Sequence, residues 1–327
     1  MRIRKAVKEL FVKILLVILF VVFCAAAARF SGLDIREFWR LKYRKLSEND
    51  LEVHFIDVGQ GDSIFIRSKE GVVLIDTGTD DSQYRFSEYL RSYNVKKVDC
   101  LVITHPHSDH IGGARRILED FPVGTVMMCE SDSSSKYLET VLNIIDEKGI
   151  KLVAPLRGDV YGIGNIRMRI LSPPSEADTA ENDGSIVMRV EWGETTFLLA
   201  GDAESEAEAR IIADFPPEYI KSDVLKVGHH GSYTSTSDEF LDVVKPEWAV
   251  ISCGYMNLYS HPHSEVLRRL KNHGVQDENI LRTDERGDIV FLSDGKKVRL
   301  FDGQKGRISE PSESESHVET DDSGLVS

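Results

Sequence analysis

A chain of 327 residues with 41% hydrophobic and 8% aromatic side chains has ordinary globular composition and can bury a sizeable core, as one large domain or two small ones. Its net charge of −14 is uneven: residues 1–45 hold eleven Lys/Arg against three Asp/Glu, residues 308–327 hold six acids and no base, and about −16 remains on residues 46–307. So acidic a body is not expected to bind nucleic acid strongly or sequence-independently through neutralised phosphates, although two bound divalent cations would return up to four positive charges where they matter.

In chain order, the first element is apolar. Behind Arg2, Arg4, Lys5 and Lys8, residues 10–28 form a near-continuous hydrophobic run of about the length that spans a bilayer, with Lys13 near enough to its end to snorkel. The spacing predicts an uncleaved N-terminal transmembrane helix over residues 1–29. The rival is a cleaved signal peptide, because Ala25–Ala28 offer small-residue cleavage sites. Phe23 before Cys24 fits poorly with lipoprotein processing. Six bases from Arg29 to Lys45 blunt the positive-inside argument, so a cell-membrane protein with its catalytic domain outside the cytoplasm is only modestly favoured, and a secreted one follows if the segment is cleaved. Residues 30–50 read as a juxtamembrane linker.

From Leu51 the pattern changes to short strands broken by Gly and Asp. Residues 52–58, 62–68, 72–75, 98–103 and 123–129 read as strands, with helices over 83–93, 114–119 and 135–148. A second series follows: strands 166–171, 185–192 and 195–199, helix 204–214, strand 223–227, helix 237–243, strand 248–252, helix 264–272, and strands near 289–292 and 297–301. Two β-rich runs, each closed by helices, predict an α/β fold of two sheets packed face to face with helices outside, over residues 51–303. Residues 304–327 are Ser/Glu-rich and aperiodic, and read as a disordered tail. Cys24, Cys100, Cys129 and Cys253 show no CxxC or zinc-finger spacing and read as buried strand residues.

The chemistry concentrates after residues 98–103. Thr104-His105-Pro106-His107-Ser108-Asp109-His110-Ile111-Gly112-Gly113 places three histidines and an aspartate within six residues. Neutral imidazole suits zinc, and imidazole mixed with carboxylate suits zinc, manganese or iron. An extended His-x-His pair aims His105 and His107 to one side of a strand end, while Asp109 and His110 on the next turn can reach a second position. Gly112 and Gly113 would let a helix start close behind.

His-x-His-x-Asp-His after an apolar strand resembles the signature of the metallo-β-lactamase fold superfamily. Within it, His54-Phe55-Ile56-Asp57-Val58-Gly59-Gln60-Gly61-Asp62-Ser63, the Leu74–Gly78 turn and Gly228-His229-His230-Gly231-Ser232 resemble the hydrolase domain of the competence protein ComEC/Rec2 group, over about residues 51–302. The many-helix permease portion of such transporters is missing, so a stand-alone relative is expected. The resemblance implies an αββα sandwich of two mixed sheets. It also implies two divalent ions, Zn2+ or Mn2+, with a hydroxide between them as nucleophile. His105, His107 and Asp202 would serve the first ion; Asp109, His110, Asp202 and His230 the second, with Asp202 bridging. His230 is assigned as ligand and His229 is turned toward a substrate oxygen, although the reverse assignment remains open. Asp109, Asp202, His229 and His263 are the expected catalytic residues. Locally, Asp202 could instead cap the helix behind it. Where the superfamily usually supplies a third histidine to the first metal, this chain has Glu181-Asn182-Asp183-Gly184-Ser185, so water, substrate or Asp183 must complete that site.

Asp57, Asp62 and Asp76 read either as carboxylates that orient ligand imidazoles or as turn residues. Glu204 reads as a first-turn helix acid or a leaving-group contact. No Gly-x-Ser-x-Gly elbow is present to support serine hydrolysis. The expected substrate is a phosphodiester, either DNA or a smaller ester such as phosphorylcholine of cell-wall polymers. A β-lactam or thioester substrate, and a non-catalytic, metal-stabilised, membrane-anchored scaffold, are the alternatives.

Overall fold

The computed structural model describes residues 13–15, 44–131, 133–173, 182–302 and 307–309. Its central strands are short, mostly apolar runs buried on both faces, the pattern of sheets covered on each side. β1 (Leu51–Phe55), β2 (Ile64–Ser68), β3 (Val72–Ile75), β4 (Val98–Ile103), β5 (Val123–Met128) and β6 (Lys151–Val153) follow one another, and β14 (Ile289–Ser293), β15 (Val298–Asp302) and β16 (Arg307–Ser309) return to the same sheet. Its order is β16-β15-β14-β1-β2-β3-β4-β5-β6. The second sheet runs β13-β12-β11-β10-β9-β8-β7. It comprises β7 (Val160–Ile163), β8 (Ile166–Ser172), β9 (Val187–Trp192), β10 (Thr195–Leu199), β11 (Val224–Lys226), β12 (Trp248–Ile251) and β13 (Ile280–Arg282).

The two sheets face each other across one core in which Phe55, Met168, Phe197, Trp248 and Phe291 are buried. Outside the first sheet lie α1 (Gln83–Ser92), the single turn α2 (Ser108–Ile111), α3 (Ala114–Asp120) and α4 (Lys136–Lys148), packed through Phe86, Leu90, Ile117 and Val141. Outside the second lie α5 (Ser205–Asp214), α6 (Asp238–Val244) and α7 (Ser264–Asn272), packed through Ile211, Phe240 and Leu270. This is the expected αββα arrangement of two mixed sheets.

Parallel pairing positions the site. β3, β4, β5 and β6 pair in parallel, as do β10, β11, β12 and β13. Parallel strands joined by crossovers open their carboxyl ends at one edge, where open α/β sheets take ligands. Asp76, the segment Thr104–His110, Asp202, His229–His230 and Ser252 all follow such strand ends.

Three strands escaped the pattern reading. β6, β7 and β13 are three or four residues long and only partly buried, so none carries a continuous apolar run. β16 takes into the sheet three residues expected in the tail, because pairing of Ser309 with Leu300 needs backbone and no apolar period. Among the described residues no helix is long and apolar enough to cross a membrane, and the stretch expected to do so lies outside them apart from residues 13–15, which are helical.

Candidate metal centre

Leaving β4, the chain runs extended through His107 and turns at once into α2, where His110 N–H donates to His107 O at 3.0 Å. The two glycines behind this turn allow close passage of another loop. A Cβ on Gly112 would lie 2.5 Å from Asp80 N, and one on Gly113 would lie 2.5 Å from Thr77 O.

Two groups of donors meet at Asp202, which is buried at the end of β10. In the first, His105 Nε2 lies 2.9 Å from His107 Nδ1 and 3.8 Å from Asp202 Oδ2. In the second, the same Asp202 oxygen is 3.3 Å from His110 Nε2 and 3.4 Å from His230 Nε2. The two Nε2 atoms are 3.3 Å apart, and Asp109 Oδ2 stands 3.2 Å from that of His230 and 4.0 Å from that of His110. Such edges suit donors about 2.0–2.2 Å from one tetrahedral ion.

The outer nitrogens fix the tautomers. His230 Nδ1–H donates to Ser252 O at 3.0 Å, and His110 Nδ1–H donates to Asp76 Oδ2 at 2.8 Å. Both Nε2 lone pairs then point at each other. Burial opposes charge on these rings, but the carboxylates of Asp202 and Asp76 around His110, and of Asp202 and Asp109 around His230, outweigh it and hold both imidazoles well above their ordinary range. Positive charge is therefore demanded between them. Protons on both facing nitrogens, themselves only 3.3 Å apart, would clash and repel, whereas one divalent ion satisfies both lone pairs. Burial, aided by the charge of His110, pushes His105 well below its usual value and leaves it a neutral ligand. Asp202 Oδ1 is buried without a hydrogen-bond partner among the described residues. The residues present thus fit two ions better than they fit an empty polar core.

Several second-tier expectations are sharpened or corrected. Asp76 orients a ligand: besides His110 it accepts from Thr104 N at 2.8 Å and Thr104 Oγ1 at 2.6 Å. Asp57 does not touch a ligand imidazole. It accepts from Gly59 N at 3.1 Å and pairs with Arg85, so turn geometry wins there. Asp183 does not complete the first group, because its Oδ1 accepts from Glu204 N at 2.9 Å and Ala207 N at 3.3 Å and caps α5. That duty frees Asp202 from capping. Ser185 stands beside His105, its Oγ 3.3 Å from Nδ1.

Asp62 belongs behind His230. Its Oδ1 lies 3.5 Å from Nδ1, the nitrogen already committed to Ser252, so Asp109 and not Asp62 faces the inner nitrogen. Asp62 Oδ2 is held 2.6 Å from the fully buried Lys226 Nζ, which also donates to Gly201 O at 3.2 Å. Burial alone would raise Asp62, yet Lys226 overrides it and holds the carboxyl down at about 2. Sequence reasoning missed Lys226: a lysine in an otherwise apolar strand carries no local sign of its partner.

At the mouth, His229 is partly exposed. Its Nδ1 lies 2.9 Å from Glu204 Oε1 and its Nε2 3.9 Å from Asp202 Oδ2. Glu204 Oε1 accepts hydrogen bonds from Thr234 Oγ1 at 3.0 Å and Asn182 Nδ2 at 3.2 Å, which fix the carboxylate beside the His229 ring. The expectation for His263 changes most. Its Nδ1 accepts from Tyr233 N at 3.1 Å, and the ring nearest the cluster is that of His261, 5.6 Å from His229 and 6.2 Å from His230. Asp76, His229 and His230 all take positive φ (54°, 45° and 53°), a backbone region non-glycine residues enter at a cost of about 1–3 kcal/mol. Removing the Asp76 contact is an accessible test. Asp76→Asn should lower metal affinity about 10- to 100-fold in chelator competition, and an unchanged affinity would contradict its orienting role.

A two-layered β core with helices outside and a His/Asp cluster at its strand ends is the architecture of a metal-dependent hydrolase. The chain belongs to the metallo-β-lactamase superfamily, whose family model matches residues 56–255. Among curated relatives it is 37% identical to ComE operon protein 3 of Bacillus subtilis over 73% of this chain and 33% of that one. It is 32% identical to Competence protein ComA of Neisseria gonorrhoeae, over 75% of this chain and 32% of the relative. Recombination protein 2 of Haemophilus influenzae is 31% identical, over 76% and 30%. The chain spans about a third of the length of these relatives.

Proposed function

We propose that the chain is a metal-dependent phosphodiesterase acting on DNA or on a small phosphodiester such as a phosphorylcholine ester. The observation that carries this reading is the sharing of Asp202 Oδ2 between two donor groups. In this reading His105, His107 and Asp202 hold one ion, and Asp109, His110, Asp202 and His230 hold the other, each zinc or manganese. Two divalent ions so held supply Lewis acidity toward phosphoryl oxygens and make water a nucleophile near neutral pH. Asp76 and Ser252 keep the inner nitrogens of His110 and His230 turned to the centre. His229 stands beside the Glu204 carboxylate at the mouth, where its Nε2 can pass a proton to a departing oxygen. The names of the relatives, competence and recombination proteins, support DNA as the substrate class. We further propose that residues 10–28 anchor the chain in a membrane with this domain outside the cytoplasm.

Purified protein should hydrolyse bis(p-nitrophenyl) phosphate, lose activity on chelation, and regain it with zinc or manganese. Metal-loaded protein that turns over neither this ester, DNA nor phosphorylcholine esters would refute the proposal.

A further inference from the structure

Two loops beside the site are free of formal charge. Residues 253–263, joining β12 to α7, contain no Asp, Glu, Lys or Arg in a chain where 29% of residues are charged, and neither do residues 228–237. Both nevertheless expose large side chains. Tyr255, Met256, Leu258 and Tyr259 stand out of the first loop, with Leu258 99% and Tyr259 64% exposed, and Tyr233 of the second is 59% exposed.

The exposed rings lead inward. Tyr259 stacks on His261 at 5.6 Å and 23°, and His261 in turn lies 5.6 Å from His229 and 6.2 Å from His230. Tyr233 meets His263 at 5.1 Å, and His263 meets His261 at 5.0 Å. His261 Nδ1 is buried without a hydrogen-bond partner among the described residues, which leaves a polar atom on this path. The first loop is also pinned. Asn257 Nδ2 donates to Gly254 O at 2.9 Å and His261 O at 2.6 Å, its Oδ1 accepts from His261 N at 2.9 Å, and Gly254 N donates to Gln60 Oε1 at 3.1 Å. A platform already ordered loses little entropy on binding.

Resting on the phosphodiesterase reading, we infer that Tyr259 and Tyr233 form a platform on which unpaired nucleobases of a single-stranded substrate stack beside the metal centre. A chain of net charge −14 repels a phosphate backbone at long range, so affinity away from the metal centre must come from contacts that need no charge. Base–aromatic stacking supplies such contacts and tolerates any base. A lipid surface would also take exposed Tyr, Met and Leu, but neither loop offers a base for lipid phosphates, and the ring series runs toward the catalytic cluster.

The test is fluorescence anisotropy with the full chain and two short phosphorothioate strands, an oligothymidine and the same backbone without bases. Stacking predicts that the oligothymidine binds about 5- to 150-fold tighter for each stacked base. Tyr259→Ala should bring the ratio toward one, and Tyr259→Phe should keep it. Equal affinity for the two strands, or a ratio that survives Tyr259→Ala, would overturn the platform. Equal affinity together with binding to phosphatidylcholine vesicles that Tyr259→Ala weakens would assign the loops to a lipid surface instead. Preference for the base-bearing strand without hydrolysis of any diester would sustain the platform and sink the phosphodiesterase reading.

Discussion

Replacing Asp202 by Ala is expected to lower kcat/KM for the proposed phosphodiester hydrolysis by more than about 100-fold, since groups that merely orient metal ligands are each worth about 10- to 100-fold. Its Oδ2 lies 3.8 Å or less from ring nitrogens of His105, His110 and His230 together. The loss should be accompanied by a fall in bound metal, read by elemental analysis of the purified variant. A stability defect without metal loss would show that Asp202 supports the fold alone, and retained turnover would remove it from the bridge. Asp202→Asn adds a useful contrast. It keeps the shape and one acceptor oxygen but removes the charge that holds His110 and His230 above their ordinary range.

Lys226→Met should cost about 3–5 kcal/mol of folding stability, measured by denaturant titration at neutral pH. The substitution preserves the volume of the side chain and leaves no large cavity. What it removes is the partner of a fully buried carboxylate, so Asp62 is left charged and uncompensated between His230 and the strand ends. Adding Asp62→Asn to the variant should recover most of the loss, and a double variant as unstable as the single one would assign the effect to packing. The pH dependence has a definite sign. Lys226 holds Asp62 at about 2, below its ordinary 3.8, so the pair stabilises above the ordinary carboxylate range and loses that contribution as pH falls toward 2. The deficit of Lys226→Met should therefore be greatest near neutrality and shrink on acidification. A loss below about 1 kcal/mol at neutral pH would mean that the pair is not carried as a buried charge.

What the sequence made legible was whatever is local. His105, His107, Asp109 and His110 announce themselves because six residues hold the chemistry and the apolar run before them marks a strand end. Asp202 and His230 lie in another sheet, and only the family resemblance linked them to that segment. Lys226 and Asp62 pair across the interface between the sheets, where neither neighbourhood names the other. His261 and His263 share one His-Pro-His spelling, and the direction of each ring depends on a loop pinned by Asn257 that periodicity does not describe. Asp183, a candidate beside water and substrate to complete the first group, drops out for a related reason. A carboxylate near the first donor group could equally cap a helix, and α5 presented two N–H groups within reach. The strands β6, β7 and β13 were missed because sheet edges bury too little to leave an apolar signature.

The central claim is that two divalent ions share Asp202. Anomalous diffraction from crystals grown with zinc or manganese tests it most directly. Two peaks per chain are expected, one among His105, His107 and Asp202 and one among Asp109, His110, Asp202 and His230. A single peak, or two that do not both lie against Asp202, would contradict it.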